Sequence, residues 1–170
     1  IAIVLFVAYV FRRVSKPVSS WKYGVIAIIA LIHDITIPVG VFAVLGYLVG
    51  AEIDVLFVVA LLTILGYSVN DTIVVFDRVR ENLKQKEQYK EGEPFELMVG
   101  KSLNQTFTRS INTSLTTVLA LLALFFFGGA ATENFALALI TGIIAGTYSS
   151  ICLASPLLVV AERLLQKKRA

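Results

Sequence analysis

An all-α, polytopic helical membrane bundle is the fold class that this 170-residue sequence predicts. Two observations predict it. The chain is 57% hydrophobic and only 16% charged, with a mean hydropathy of +0.82, whereas about a quarter of a soluble domain's residues carry charge. The charges also gather in short stretches between long apolar runs, the layout of repeated membrane spans. No cysteine or histidine cluster has metal-ligand spacing, and no Gly-rich loop of the Walker type would hold a nucleotide. No metal and no cofactor is therefore expected. The lone Cys152 sits in an apolar run and reads as a small core residue. A net charge of +3, with its basic residues confined to linkers, gives no reason to expect nucleic acid.

Five apolar segments follow in order. Ile1 to Phe11 is too short to cross a bilayer, which takes about 20 helical residues. With no Met start and no signal-peptide layout, it reads as the end of a span that begins earlier in a longer protein. Residues 23–49, 55–76, 103–127 and 135–161 are each long enough to span, some with tilt. Arg78 to Gln88 is rich in Glu, Lys, Arg and Gln, so the third segment is expected to continue as a helix beyond the membrane. Glu91-Gly92-Glu93-Pro94 marks a stop and turn. Phe95, Met98, Val99 and Leu103 recur at helical spacing. They predict either a short amphipathic helix at the membrane surface or a plain packing helix.

Orientation follows from the basic residues. Linker 12–22, linker 77–102 and the tail after 161 hold fourteen of the fifteen lysines and arginines. The connections Gly50 to Asp54 and Gly128 to Asn134 hold none and carry Glu52, Asp54 and Glu133. This alternation predicts cytoplasmic basic linkers and a cytoplasmic carboxyl terminus.

The remaining base is Arg109, a few residues into the fourth segment. Asp71 lies near the end of the third, so the topology is expected to bring the two to similar depth on antiparallel helices. An unpaired charge near a helix centre costs roughly 2.5–3.5 kcal/mol on insertion scales, which favours their facing each other. A polar seam is expected around them: Thr63, Tyr67 and Asn70 beside Asp71, and Asn112, Thr113 and Thr116 beside Arg109 at i+3, i+4 and i+7. Beside Arg109 the acid stays ionised; were the base to withdraw, it could take a proton. The plain alternative is a static pair that fixes helix register, or an arginine that only snorkels. Asp34 is the other intramembrane acid. It follows His33, which can pass protons or simply bond a neighbour, and Pro38 four residues on frees its carbonyl and predicts a kink. Gly142 and Gly146, with Ser149, Ser150, Ala154 and Ser155, form a small-residue stripe suited to close helix packing.

GYSVNDTIVVFDRVREN, HDITIPVG, SLNQTFTRSINTSLTT and FFFGGAATENFALALITGIIAGTYSSICLASPLLV together resemble the SecF family of the bacterial protein-export machinery, and the resemblance covers essentially the whole chain. It implies one six-helix half of a resistance-nodulation-division-type transporter core, amino-terminally truncated. The family's first helix and large extracytoplasmic domain are not in this sequence, and Ile1 to Phe11 would end the family's second helix. The linker at Gln88 to Glu91 looks a few residues longer than in the family. The resemblance further implies a transport subunit rather than an enzyme, seated in the inner membrane. With SecD it would use the proton-motive force to help preproteins through the SecYEG channel. The family's important acid and arginine fall on Asp71 and Arg109, and Asp34 matches a His-Asp pair. Two other readings stay open: a scaffolding subunit with no proton pathway of its own, and an intramembrane aspartyl protease using Asp34 and Asp71. The protease is disfavoured because the motifs around both acids differ from those of such enzymes and Arg109 would spoil a shared proton.

Overall fold

The computed structural model describes residues 20–89 and 93–169, and every element among them is a helix. The expected partial helix at Ile1 to Phe11, linker residues 12–19 and most of the turn at 90–92 lie outside the described residues. We label the helices α1 (Ser20–Val49), α2 (Val55–Tyr89), α3 (Phe95–Phe127), α4 (Ala130–Ser149) and α5 (Ser155–Arg169). A π turn, Ser150–Ala154, joins α4 to α5. Among the described residues, four stretches are long and apolar enough to cross a membrane: Lys22–Val49, Val55–Gln85, Phe95–Phe127 and Thr132–Leu164.

The helix ends have local causes. α1 runs unbroken through Pro38 and stops at Gly50, whose φ of 71° is left-handed. The Gly50 N–H donates to the Gly46 carbonyl at 3.2 Å, an αL cap that a side chain would strain. Asp54 caps α2 by accepting the Phe57 N–H at 2.9 Å. α2 then runs past its apolar stretch to Tyr89, across residues that are good helix formers. Phe95 to Leu103 is not a separate surface helix: α3 is continuous from Phe95, and Met98 and Val99 pack into the bundle. A two-glycine turn, Gly128-Gly129, reverses the chain into α4, with the Gly128 N–H donating to the Leu124 carbonyl at 2.8 Å.

The starts of α1 and α3 and the ends of α2 and α5 share one end of the bundle. Lys22 Nζ donates to the Ala161 carbonyl at 3.3 Å, and Arg163 Nε donates to Glu96 at 2.7 Å. We call this the basic end. An apolar cluster there includes Tyr23, Ala27, Phe76, Val79, Met98 and Leu158. A second cluster, Phe42, Phe57, Ala60, Ile64, Ala138 and Leu139, fills the opposite end. The buried polar side chains Asp34, Ser68, Asp71, Ser110, Ser114, Thr147 and Ser150 fall between these clusters along the helices.

α4 is central and touches α1, α2 and α3. Its small residues allow this. A methyl at Gly142 would overlap Ile64, lying 2.9 Å from Cγ2 and closer still to Cγ1 and Cδ1, and one at Gly146 would lie 3.2 Å from the Ser68 Cβ. Ile64 is β-branched and buried, so rotation about one bond does not clear the overlap. Gly142→Ala is expected to destabilise the bundle by about 1–3 kcal/mol, read as a lower unfolding midpoint in bicelles. Pairing it with Ile64→Ala should recover part of the loss. An unchanged midpoint for the single variant would contradict this close approach of α2 and α4.

Candidate functional site

Asp71 is 9% exposed, and both of its carboxylate oxygens are held by hydroxyls. Ser110 Oγ of α3 donates to Oδ1 at 2.7 Å, and Ser150 Oγ, the first residue of the π turn, donates to Oδ2. Ser150 also reaches the Thr147 carbonyl at 3.1 Å. The π turn leaves the Ser150 carbonyl to the Ser155 hydroxyl, which donates to it at 3.1 Å. Such turns interrupt α-helices frequently at functional sites. Beside the acid, Tyr67 donates to Ser114 at 3.3 Å, and Ser114 shares a hydrogen bond of 2.6 Å with Thr147.

Asp34 is fully buried. Ser68 Oγ donates to its Oδ2, and His33 Nδ1 lies 3.0 Å from its Oδ1. The His33 ring is partly exposed, 6.4 Å from Tyr148 of α4. Gly146 leaves room here: a Cβ would come within 3.6 Å of Asp34 Oδ2. Thus α2 supplies both Asp71 and the serine on Asp34, one turn apart. Each acid has its own hydroxyl partners, and among the described residues no hydrogen bond joins the two carboxylates, as a shared-proton protease dyad would require.

The expected seam forms differently. Arg109 does not face Asp71. It is exposed and forms no ion pair among the described residues. Asn112, Thr113 and Thr116 share its exposed face, and the two threonines spend their hydroxyls on their own helix, Thr113 on the Arg109 carbonyl at 2.8 Å. Asn70 and Thr63 also point outward, and of the polar residues expected beside Asp71 only Tyr67 turns inward. The physical reason is the face of α3 that packs. Ser102, Thr106, Ser110 and Ser114, spaced by four, point into the bundle, which carries the neighbouring Arg109 away from it. Ser110 and Ser114, with Ser68 and Ser150, are the site hydroxyls that the arginine did not point to; the four-residue spacing of Ser102, Thr106, Ser110 and Ser114 was the available signal on α3.

A serine hydroxyl both donates and accepts, so it can satisfy either a carboxylate or a carboxylic acid without moving the backbone. Among the described residues no three His, Cys, Asp or Glu side chains converge as a metal site would need.

Buried carboxylates between two apolar plugs, in a bundle of membrane-length helices, define a polytopic membrane protein of transporter-like architecture. Residues 1–164 match the family model described as "Protein export membrane protein SecD/SecF, C-terminal". The chain belongs to this SecD/SecF family. It is 56% identical over 157 residues to the protein translocase subunit SecF of Thermobaculum terrenum, covering 92% of this chain and 47% of that protein. It is 53% identical over 135 residues to that of Synechocystis, covering 79% and 42%. Against the protein translocase subunit SecDF of Thermus thermophilus identity is 45% over 157 residues, 92% of this chain and 19% of the relative. A crystal structure of SecDF in its super-membrane-facing form superposes with a TM-score of 0.80 at 42% identity, covering 99% of this chain and 21% of that one. The chain thus spans about half the length of the SecF relatives it matches.

Proposed function

We propose that this chain is the membrane core of an accessory subunit of the Sec export machinery, which with SecD draws on the proton-motive force to drive late movement of preproteins through the SecYEG channel. The observation that carries the proton part is Asp71, a buried acid held by two hydroxyls able to serve either protonation state. The export part rests on the family and its translocase relatives. In this reading the basic end and the carboxyl terminus are cytoplasmic, as the positive-inside rule favours, and the membrane is the bacterial inner membrane. A proton crossing 100 mV releases about 2.3 kcal/mol, so several would drive one mechanical step.

The exposed Arg109 face belongs to the same reading. A guanidinium directed at lipid is costly, and Arg109, Asn112, Thr113 and Thr116 form a coherent outward polar face on α3. This face meets the SecD half. A proton-coupling role for Arg109 then runs through the partner and not through a contact within the chain. Asp34, with His33, is the second acid of the pathway.

The test uses the full-length protein with SecD in vesicles that contain the channel. Late preprotein movement should accelerate when a proton gradient is present and return to the basal rate when an uncoupler collapses it. Acceleration that survives the uncoupler would leave the subunit as a scaffold.

A further inference from the structure

On the basic side of Asp71, two helices repeat one pattern. Along α2, Thr72, Phe76 and Arg80 follow at intervals of four and share one face. Along α5, Ser155, Leu158 and Glu162 follow at intervals of three and four. Each ladder is polar, apolar, polar. The two apolar rungs, Phe76 and Leu158, are fully buried, and Tyr23 of α1 closes against Phe76 edge-to-face at 5.3 Å. Eight residues separate Thr72 from Arg80 and seven separate Ser155 from Glu162, so the polar rungs stand roughly 10–12 Å apart along the helices, two turns, with the apolar rungs between.

Polar atoms wait on both sides of it. Above, Thr72 Oγ1 is buried with no hydrogen-bond partner, next in the chain to Asp71, and Ser155 is anchored to Ser150, the serine that holds Asp71. Below, Glu162 is only 4% exposed, and its Oε2 is buried with no hydrogen-bond partner. Tyr23 from α1 and Arg80 from α2 share an electrostatic environment with it. Arg80 pairs with Asp77 at 3.9 Å, and Glu162 forms no ion pair among the described residues. The nearby charges on α1, α3 and α5 are engaged elsewhere: Lys22 on the Ala161 carbonyl, and Arg163 with Glu96. A buried carboxylate left with an unsatisfied oxygen is a costly arrangement for packing alone.

We infer that Glu162 is a further protonation site, beyond Asp71 and Asp34, and the acceptor that takes the proton released by Asp71 toward the basic end when Phe76, Leu158 and Tyr23 part. The proton leaves the Asp71 carboxylic acid, which becomes a carboxylate. It passes by way of water and the Thr72 and Ser155 hydroxyls, and binds Glu162 Oε2, neutralising that carboxylate. Glu162 then loses it to bulk water. Closed, the apolar rungs keep the two acids from exchanging protons without a conformational step.

This inference rests on the proton reading of Asp71, and the experiment separates the two. The full-length protein with SecD, in bilayers, is followed by infrared spectroscopy of its carboxylic-acid bands, the Asp71 band being the one lost in Asp71→Asn. After a jump to high pH on the basic side, Glu162→Gln should keep the band's initial amplitude but slow its decay by about tenfold or more. Glu162→Asp should restore most of the rate. Phe76→Leu, which keeps the core apolar but thins the barrier, should speed the decay, and it serves equally if Glu162→Gln folds poorly. Wild-type decay in Glu162→Gln, or in Phe76→Leu, overturns the inference while leaving Asp71 a proton carrier. No Asp71 band in the wild type at any pH overturns both.

Discussion

Asp71→Asn, in the full-length protein assembled with SecD, is expected to abolish gradient-driven preprotein movement while leaving assembly and stability nearly unchanged. The geometry separates the two effects. Asparagine keeps the shape of aspartate, and its oxygen still accepts from Ser110, now 2.7 Å from Oδ1. Its amide would face Ser150, whose hydroxyl can turn to accept instead of donate. The stability cost should then be no more than about 1 kcal/mol. Asp71→Leu is the contrast: it strands both hydroxyls in the interior and should cost about 2–4 kcal/mol. The amide cannot exchange a proton, so the gradient-dependent rate should fall by at least about a hundredfold. The measurement is late preprotein movement in vesicles with and without the gradient, beside an unfolding midpoint. Wild-type movement in Asp71→Asn would make the acid a packing residue and shift attention to Asp34.

The second large effect concerns Arg109. Because it is exposed and has no ion pair among the described residues, Arg109→Leu should leave the isolated bundle as stable as before, or more so. Removing a charge directed at lipid relieves up to roughly 2.5–3.5 kcal/mol on insertion scales. With SecD present the sign should reverse. If the Arg109 face is covered by the partner, the leucine variant loses the groups that pair there, and association should weaken by about tenfold or more. Energy transfer between labelled halves in bilayers reads the association, and gradient-driven movement reads the consequence. A variant that associates and moves like the wild type would show that Arg109 only snorkels toward the headgroups.

The fold class was legible because lipid imposes a simple rule: long apolar stretches with charge confined between them. The two acids were legible for the same reason, since Asp34 and Asp71 each break an apolar run. The inward face of α3 was not. Arg109, Asn112, Thr113 and Thr116 make one coherent polar face, and Ser102, Thr106, Ser110 and Ser114 make another. Charge favoured the first as the partner of Asp71, whereas packing selected the second, because small hydroxyls fit a tight interface and a guanidinium on a long stem does not. Glu162 lies just past the last apolar run and reads as the start of a solvated tail. Only the docking of α5 against α1 and α3 shows it buried.

The π turn at Ser150–Ala154 gives the last helix a slack of one residue. An i→i+5 turn holds one residue more than the α turn that would replace it. Taking one residue out of the turn would therefore let it close to α geometry with Leu158 and Glu162 still on the inner face. The change would fall on the turn itself, where the Ser150 carbonyl is now met by the Ser155 hydroxyl and the Ser150 hydroxyl holds Asp71. The turn is thus a local adjustment that serves the acid and leaves the rest of the helix in phase.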